Sequence, residues 1–122
     1  KKHFITDSFK TYRHYKTDLA PGIQAVQAAH AAIDFQHQHS SIAREWNINS
    51  NYLIFLSVQD EQELKRFIQK FQIYGLNHTV FAEPDLDNQV TAVCVEPSER
   101  TMKLCSHLPL ALREFNGSLT QG

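Results

Sequence analysis

Residues 51–58 read Asn-Tyr-Leu-Ile-Phe-Leu-Ser-Val, a nearly continuous apolar run. A strand with one face in water alternates apolar and polar residues. A run without that alternation needs both faces covered, as in a central strand of a layered sheet. Residues 89–95, Gln-Val-Thr-Ala-Val-Cys-Val, have a similar character. Two such strands require helices above and below the sheet they share.

The helices are legible between them. Asp60 and Glu63 give a capping-box-like start, and Leu64, Phe67, Ile68, Phe71 and Tyr74 then share one face. Gly75 is the stop. Upstream, a helix is expected from Ile23 to Gln38, after a turn at Asp18 to Gly22. Its apolar face is read as Ile23, Val26, Ala29 and Ile33, with His30 on the same side. Five alanines from Ala25 to Ala32 leave little bulk, so this helix can lie close against a sheet.

Residues 9–17 suit a partly exposed strand, and His78–Ala82 a short one. A short helix is expected within 39–50, anchored by Trp46, and a last one over about 98–107, with Pro97 in its first turn. The order is β-α-β-α-β-β-α. It predicts an α/β fold: a four-stranded mixed β-sheet covered by helices on both faces, whose last two strands form an antiparallel hairpin. Residues 1–8 read as a loose lead-in, 9–115 as a single domain and 116–122 as a frayed tail.

Composition narrows the function. With 122 residues and a net charge of −1, the chain has no global basic excess of the kind that marks a nucleic-acid binder. The charge is uneven, however: Lys1, Lys2, Lys10, Arg13 and Lys16 face one acid, Asp7, in the first sixteen positions. Cys94 and Cys105 lack metal-ligand spacing and sit in apolar surroundings, which suits buried thiols. No apolar run reaches the roughly 18–20 residues of a membrane span, no signal-peptide pattern opens the chain, and a cytoplasmic location is the default expectation.

In open α/β sheets ligands bind beyond the carboxyl ends of strands. That edge is expected to hold Thr17, Asp18, the Pro21-Gly22 turn and the N-terminus of the first helix, whose unpaired N–H groups attract phosphates and oxyanions. Asp18 either caps the turn or serves the site. Gln27 and His30, three residues apart, share a helical face at about 5–6 Å between Cβ atoms. His30 is either a packed histidine or a site wall. Gln27, an amide on an alanine-rich face, needs partners. Thr91 is either a packed threonine or a donor facing the site. His30, His37 and His39 do not share a face, so no metal site is expected there. The loop from Glu83 to Asn88 reads as a solvated acidic turn. No nucleophile elbow or glycine-rich phosphate loop is present.

Thr17-Asp18-Leu19, then a glycine, then Ala25-Xaa-Gln27-Xaa-Ala29-His30-Ala31 resembles the signature of the archaeal/eukaryotic-type (class II) peptidyl-tRNA hydrolases. That signature runs Thr-Asp-Leu, a glycine/lysine loop, then Ala-Ala-Gln-Cys-Ala-His-Ala. Trp46, the apolar strand, the helix ending at Gly75-Leu76 and the strand ending at Pro97 follow in family order. The resemblance implies hydrolysis of the ester between a peptide and tRNA by water, with no cofactor and no tightly bound metal. It also implies tRNA as partner, no membrane, a helix-covered four-stranded mixed sheet and a homodimer.

This sequence departs from the signature in ways that bear on chemistry. Ile23 stands where the family has a lysine, and the loop before Gly22 is shorter and lacks Lys. Counting forward from Gly75, the family's site Asp falls on Glu83. Counting back from Pro97, a family Thr falls on Thr91. On this reading Asp18 and Glu83 orient or activate water, Gln27 and Thr91 donate or relay hydrogen bonds, and His30 supports helix–sheet packing. The helix start at Gly22 and Ile23 faces an oxyanion or phosphate. Thr17 and Lys16 line the substrate side, and Lys10, Arg13 and Lys16 meet tRNA phosphates or form a solvated face. Loss of a site cation commonly costs about 2.7–4 kcal/mol of barrier. The alternative is therefore a catalytically impaired member that binds RNA or protein, with cleavage of another ester or amide as a third reading.

Overall fold

The computed structural model describes the backbone of residues 4–9, 11–12, 17–18 and 21, and backbone and side chains of residues 22–50 and 52–111. Strands β1 (Phe4–Phe9), β2 (Thr11–Tyr12) and β3 (Thr17–Asp18) precede helices α1 (Pro21–Gln38) and α2 (Ser40–Asn49). Then come β4 (Leu53–Val58), α3 (Glu61–Ile73), β5 (His78–Glu83), β6 (Gln89–Val95) and α4 (Glu99–Cys105). The α/β class expected from the sequence holds. The main sheet has the order β4-β1-β6-β5. β1 runs parallel to β4 and antiparallel to β6, and β5 is antiparallel to β6. β2 and β3 pair with each other apart from that sheet.

Three local expectations change. Residues 4–8, read as part of a loose lead-in, join Phe9 in β1, and the rest of the stretch read as one strand over 9–17 supplies β2 and β3 instead. Pairing between two apolar strands outweighs the polar composition of β1. Second, β4 is an edge strand rather than a central one. Its apolar character has a cause all the same, because the chain returns along its outer edge. Ser57 N–H donates to Pro109 O at 2.9 Å and Ala111 N–H to Phe55 O at 2.9 Å, around an antiparallel bridge of Leu56 with Leu110. The interior positions belong to β1 and β6, and β6 is buried without interruption from Thr91 to Val95.

Third, the apolar face predicted for α1 points the other way. Ile23, Val26 and Ile33 are 47%, 52% and 56% exposed, and Ala29 and His30 are exposed with them. The face toward the sheet is Gln24, Gln27, Ala28, Ala31 and Phe35. Small residues let the helix axis approach β5 and β6, and the two amides are tolerated there only with partners. Close approach decides the face, not summed hydrophobicity.

Alternate residues of β6 feed two cores. Ala92 and Cys94 pack with Ala31 and Phe35 of α1, joined by Ile42, Trp46 and Phe81. Val93 and Val95 pack on the opposite face with Leu64, Phe67 and Phe71 of α3, together with Leu56, Val58, Cys105 and Leu108. Cys94 and Cys105 are thus buried thiols in separate layers. Trp46 Nε1–H donates to Tyr52 O at 2.7 Å and ties α2 to the entry of β4.

The ends of α3 are built as its sequence suggests, with one difference. Asp60 caps it by accepting from Glu63 N–H at 2.8 Å, while Glu63 Oε1 reaches back one residue further, to Gln59 N–H at 2.7 Å. At the far end Leu76 N–H donates to Phe71 O and Gly75 N–H to Gln72 O, with Gly75 at φ 67°, a left-handed stop suited to glycine. Asp60→Ala should lower unfolding free energy by about 1 kcal/mol, measured by urea titration. Among the described residues no helix is long and apolar enough to cross a membrane.

Candidate functional site

α1 runs antiparallel to β5 and meets it through polar and aromatic contacts. β5 side chains alternate, so Thr79, Phe81 and Glu83 share one face. Thr79 Oγ1–H donates to Gln38 Oε1 at 3.0 Å, and Phe81 stacks on His30 with centroids 4.4 Å apart and planes 7° from parallel. Gln27 Nε2–H donates to Glu83 Oε1 at 2.9 Å. Three contacts along one helix thus fix its height and register on the strand.

The Glu83 carboxylate owes its direction to the turn that follows. Pro84–Leu86 form a 3-10 turn with Pro84 at its start, and Glu83 caps it, Oε2 accepting from Asp85 N–H at 3.3 Å. Asp87 and Asn88 then close the hairpin with φ of 56° and 59°. Asp and Asn tolerate that region better than other non-glycine residues. The acidic segment read as a solvated loop is therefore what aims Glu83 at α1.

Thr91 reaches the same point because β6 bulges. Val80 pairs with Val93 and Phe81 with Ala92, but Ala82 pairs with Val90, leaving Thr91 as one extra residue. Strict alternation from Val93 would send Thr91 to the α3 side. Instead Val90 packs in the α3 core, and Thr91 turns to α1, where its hydroxyl donates to Gln27 Oε1 at 2.5 Å. Bulges commonly re-aim a side chain in this way.

The result is a directed chain: Thr91 O–H to the Gln27 carbonyl, and the Gln27 amide N–H to the Glu83 carboxylate. Gln27 is 3% exposed and Thr91 fully buried, while Glu83 lies at the boundary. A carboxylate has about four acceptor sites. Two on Glu83 are used by partners among the described residues, and the residue is only partly buried, so it retains capacity for a water. With both ends of the amide held, Gln27 can only point one way.

The other expected site residues fall as follows. Gly22 and Ile23 lie exposed in the first turn of α1, and a Cβ at Gly22 would meet nothing within 4 Å among the described residues. His30 is exposed one turn beyond Gln27, lying flat on Phe81. Thr17 and Asp18 form β3, placed as backbone only, three residues before α1 begins, and Lys16 lies outside the described residues. Among the described residues no three His, Cys, Asp or Glu side chains cluster as metal ligands. Sequence reasoning missed Gln24, which is 2% exposed one turn before Gln27. Two amides three apart on an alanine-rich helix were its signal. It also missed Phe81 and Thr79, which the spacing of two from Glu83 could have found.

A model of the peptidyl-tRNA hydrolase PTH2 family matches residues 15–111. The matched span takes in Thr17, Asp18, all of α1, Glu83 and Thr91. No curated protein matches the chain.

Proposed function

The chain belongs to the peptidyl-tRNA hydrolase PTH2 family, and from that premise we propose that it hydrolyses the ester joining a peptide or aminoacyl group to tRNA. The observation that supports this best is the convergence of Gln27, Glu83 and Thr91 on one hydrogen-bonded chain, drawn from three elements and ending on a part-exposed carboxylate.

In the proposed reaction Glu83 accepts a proton from a water on its open side as the water oxygen attacks the ester carbonyl. The ester C–O bond then breaks, the peptide leaves as a carboxylic acid that ionises, and the ribose oxygen of tRNA takes up the proton. Gln27 holds Glu83 in one rotamer, and Thr91 holds Gln27. Asp18 is proposed as a second carboxylate that orients water or the ribose. Thr17, Lys16, Gly22 and Ile23 line the approach, with the first N–H groups of α1 facing the oxyanion or a phosphate. His30 and Phe81 form the wall beside them. No cofactor enters this scheme.

One observation favours a second reading, a member that binds tRNA without cleaving it. Ile23 occupies the exposed first turn of α1, where the family's lysine would place a cation. The purified protein should release tRNA from peptidyl-tRNA at a rate well above the spontaneous one. Binding should weaken steeply between 50 and 200 mM salt, values of the kind used for phosphate-driven contacts. Salt-sensitive binding without release would support the second reading, and absence of both would remove tRNA from the account.

A further inference from the structure

The bulge that turns Thr91 toward Gln27 is held from the other side of the sheet. β1 pairs with β6 only as far as Ser8 and Ala92, so the first residues of β6 have no partner in β1. At that place Glu61, the first residue of α3, reaches under the strand. Its Oε2 accepts from Val90 N–H at 3.2 Å, and its Oε1 accepts from Gln89 Nε2–H at 2.9 Å. Lys65, one turn along α3, lies 3.5 Å from Oε2 and is mostly exposed. The Glu61 side chain is only 18% exposed.

We infer that Glu61 is a positioning residue for the Gln27–Glu83–Thr91 chain, acting through the β6 bulge. Val90 and Thr91 together oppose Ala82, and their side chains go to opposite layers, Val90 to the α3 core and Thr91 to α1. A two-to-one register can slide into a regular one if nothing fixes the extra residue, and a one-residue slip sends each side chain to the other face. Glu61 grips the backbone N–H of the residue just before Thr91 and the side chain of the residue before that. With both held, Thr91 cannot exchange faces with Val90. The carboxylate touches no reacting group. It sets which residue of β6 faces the site.

This rests on the reading of Gln27, Glu83 and Thr91 as the reactive chain, and two independent readouts separate the claims. The first is the amide spectrum of isotope-labelled full-length protein. Glu61→Ala should shift the Gln27 side-chain NH2 and Thr91 backbone N–H signals, although α3 lies on the opposite layer. Glu61→Gln keeps an acceptor for Val90 N–H and should restore them most of the way. Glu63→Ala, which removes the contact to Gln59 at the same helix end, should leave both signals in place. The second readout is tRNA release. There Glu61→Ala should lower kcat between about 10-fold and 10²-fold with KM nearly unchanged, the scale of a misplaced group remote from the chemistry. Unmoved Gln27 and Thr91 signals in Glu61→Ala, or shifts matched by Glu63→Ala, would overturn the inference. If the unaltered protein releases no tRNA, the hydrolase reading falls while the spectra still decide the role of Glu61.

Discussion

Replacing Glu83 with Gln should slow release of tRNA from peptidyl-tRNA by about 10²–10⁴-fold, the range expected when a general base is removed. The isosteric amide keeps an oxygen for Gln27 Nε2–H, so the link between α1 and β5 survives, while its NH2 replaces the oxygen that accepts from Asp85 N–H, and urea unfolding should lose about 0.5–2 kcal/mol, the cost of a lost cap. The loss should fall on kcat, because a base acts on the attacking water and not on the bound tRNA. Glu83→Asp makes the comparison sharper. It retains the charge but is one methylene shorter, so its oxygen falls short of Gln27 and the rate should lie between the two. A Glu83→Gln protein that hydrolyses at the unaltered rate would remove Glu83 from the proposed chemistry and leave the Asp18 side of the site to be tested.

The second large effect is on stability. Phe35 is completely buried between α1 and the sheet, with Ala31, Ala92 and Cys94 around it and His39 at 4.7 Å between ring centroids. Phe35→Ala should cost about 3–5 kcal/mol, because the lost transfer free energy adds to an unfilled cavity. The fully buried neighbours Ala31, Ala92 and Cys94 are too small to fill the space. A shift in the urea midpoint at constant slope would report this directly. A loss below about 1 kcal/mol would mean that the α1 layer repacks, contrary to the close approach its alanines create.

Local chemistry in the sequence was a good guide to boundaries. Asp60 and Gly75 marked the ends of α3 where they stand, since capping and φ preferences act over a few residues, while Pro97, expected in the first turn of α4, lies just before its cap Ser98. Facing was harder to read. Periodicity ranked Ile23, Val26 and Ile33 above Ala28 and Ala31, but helix–sheet distance favours the smaller set, and a single helix does not reveal how near its partner lies. β4 read as interior because its neighbour on the open edge, Pro109–Ala111, lies fifty residues away in sequence. Of the site, Gln27 stood out as an amide out of place, and Glu83 and Thr91 emerged from counting against the family pattern. That Thr91 faces Gln27 was not readable, because a bulge changes alternation by one residue without any mark in composition. Glu61 carries no signal at all beyond its place in a first turn.

The three contacts between α1 and β5 have a consequence for how the protein fails. Gln38 with Thr79, His30 with Phe81 and Gln27 with Glu83 are spread along one rigid helix over the same strand. Lifting α1 from the sheet would part all three and open the layer around Phe35. The Gln27–Glu83 contact and the Phe35 layer are thus carried by the same helix. A substitution that loosens that helix should therefore disturb all three contacts together.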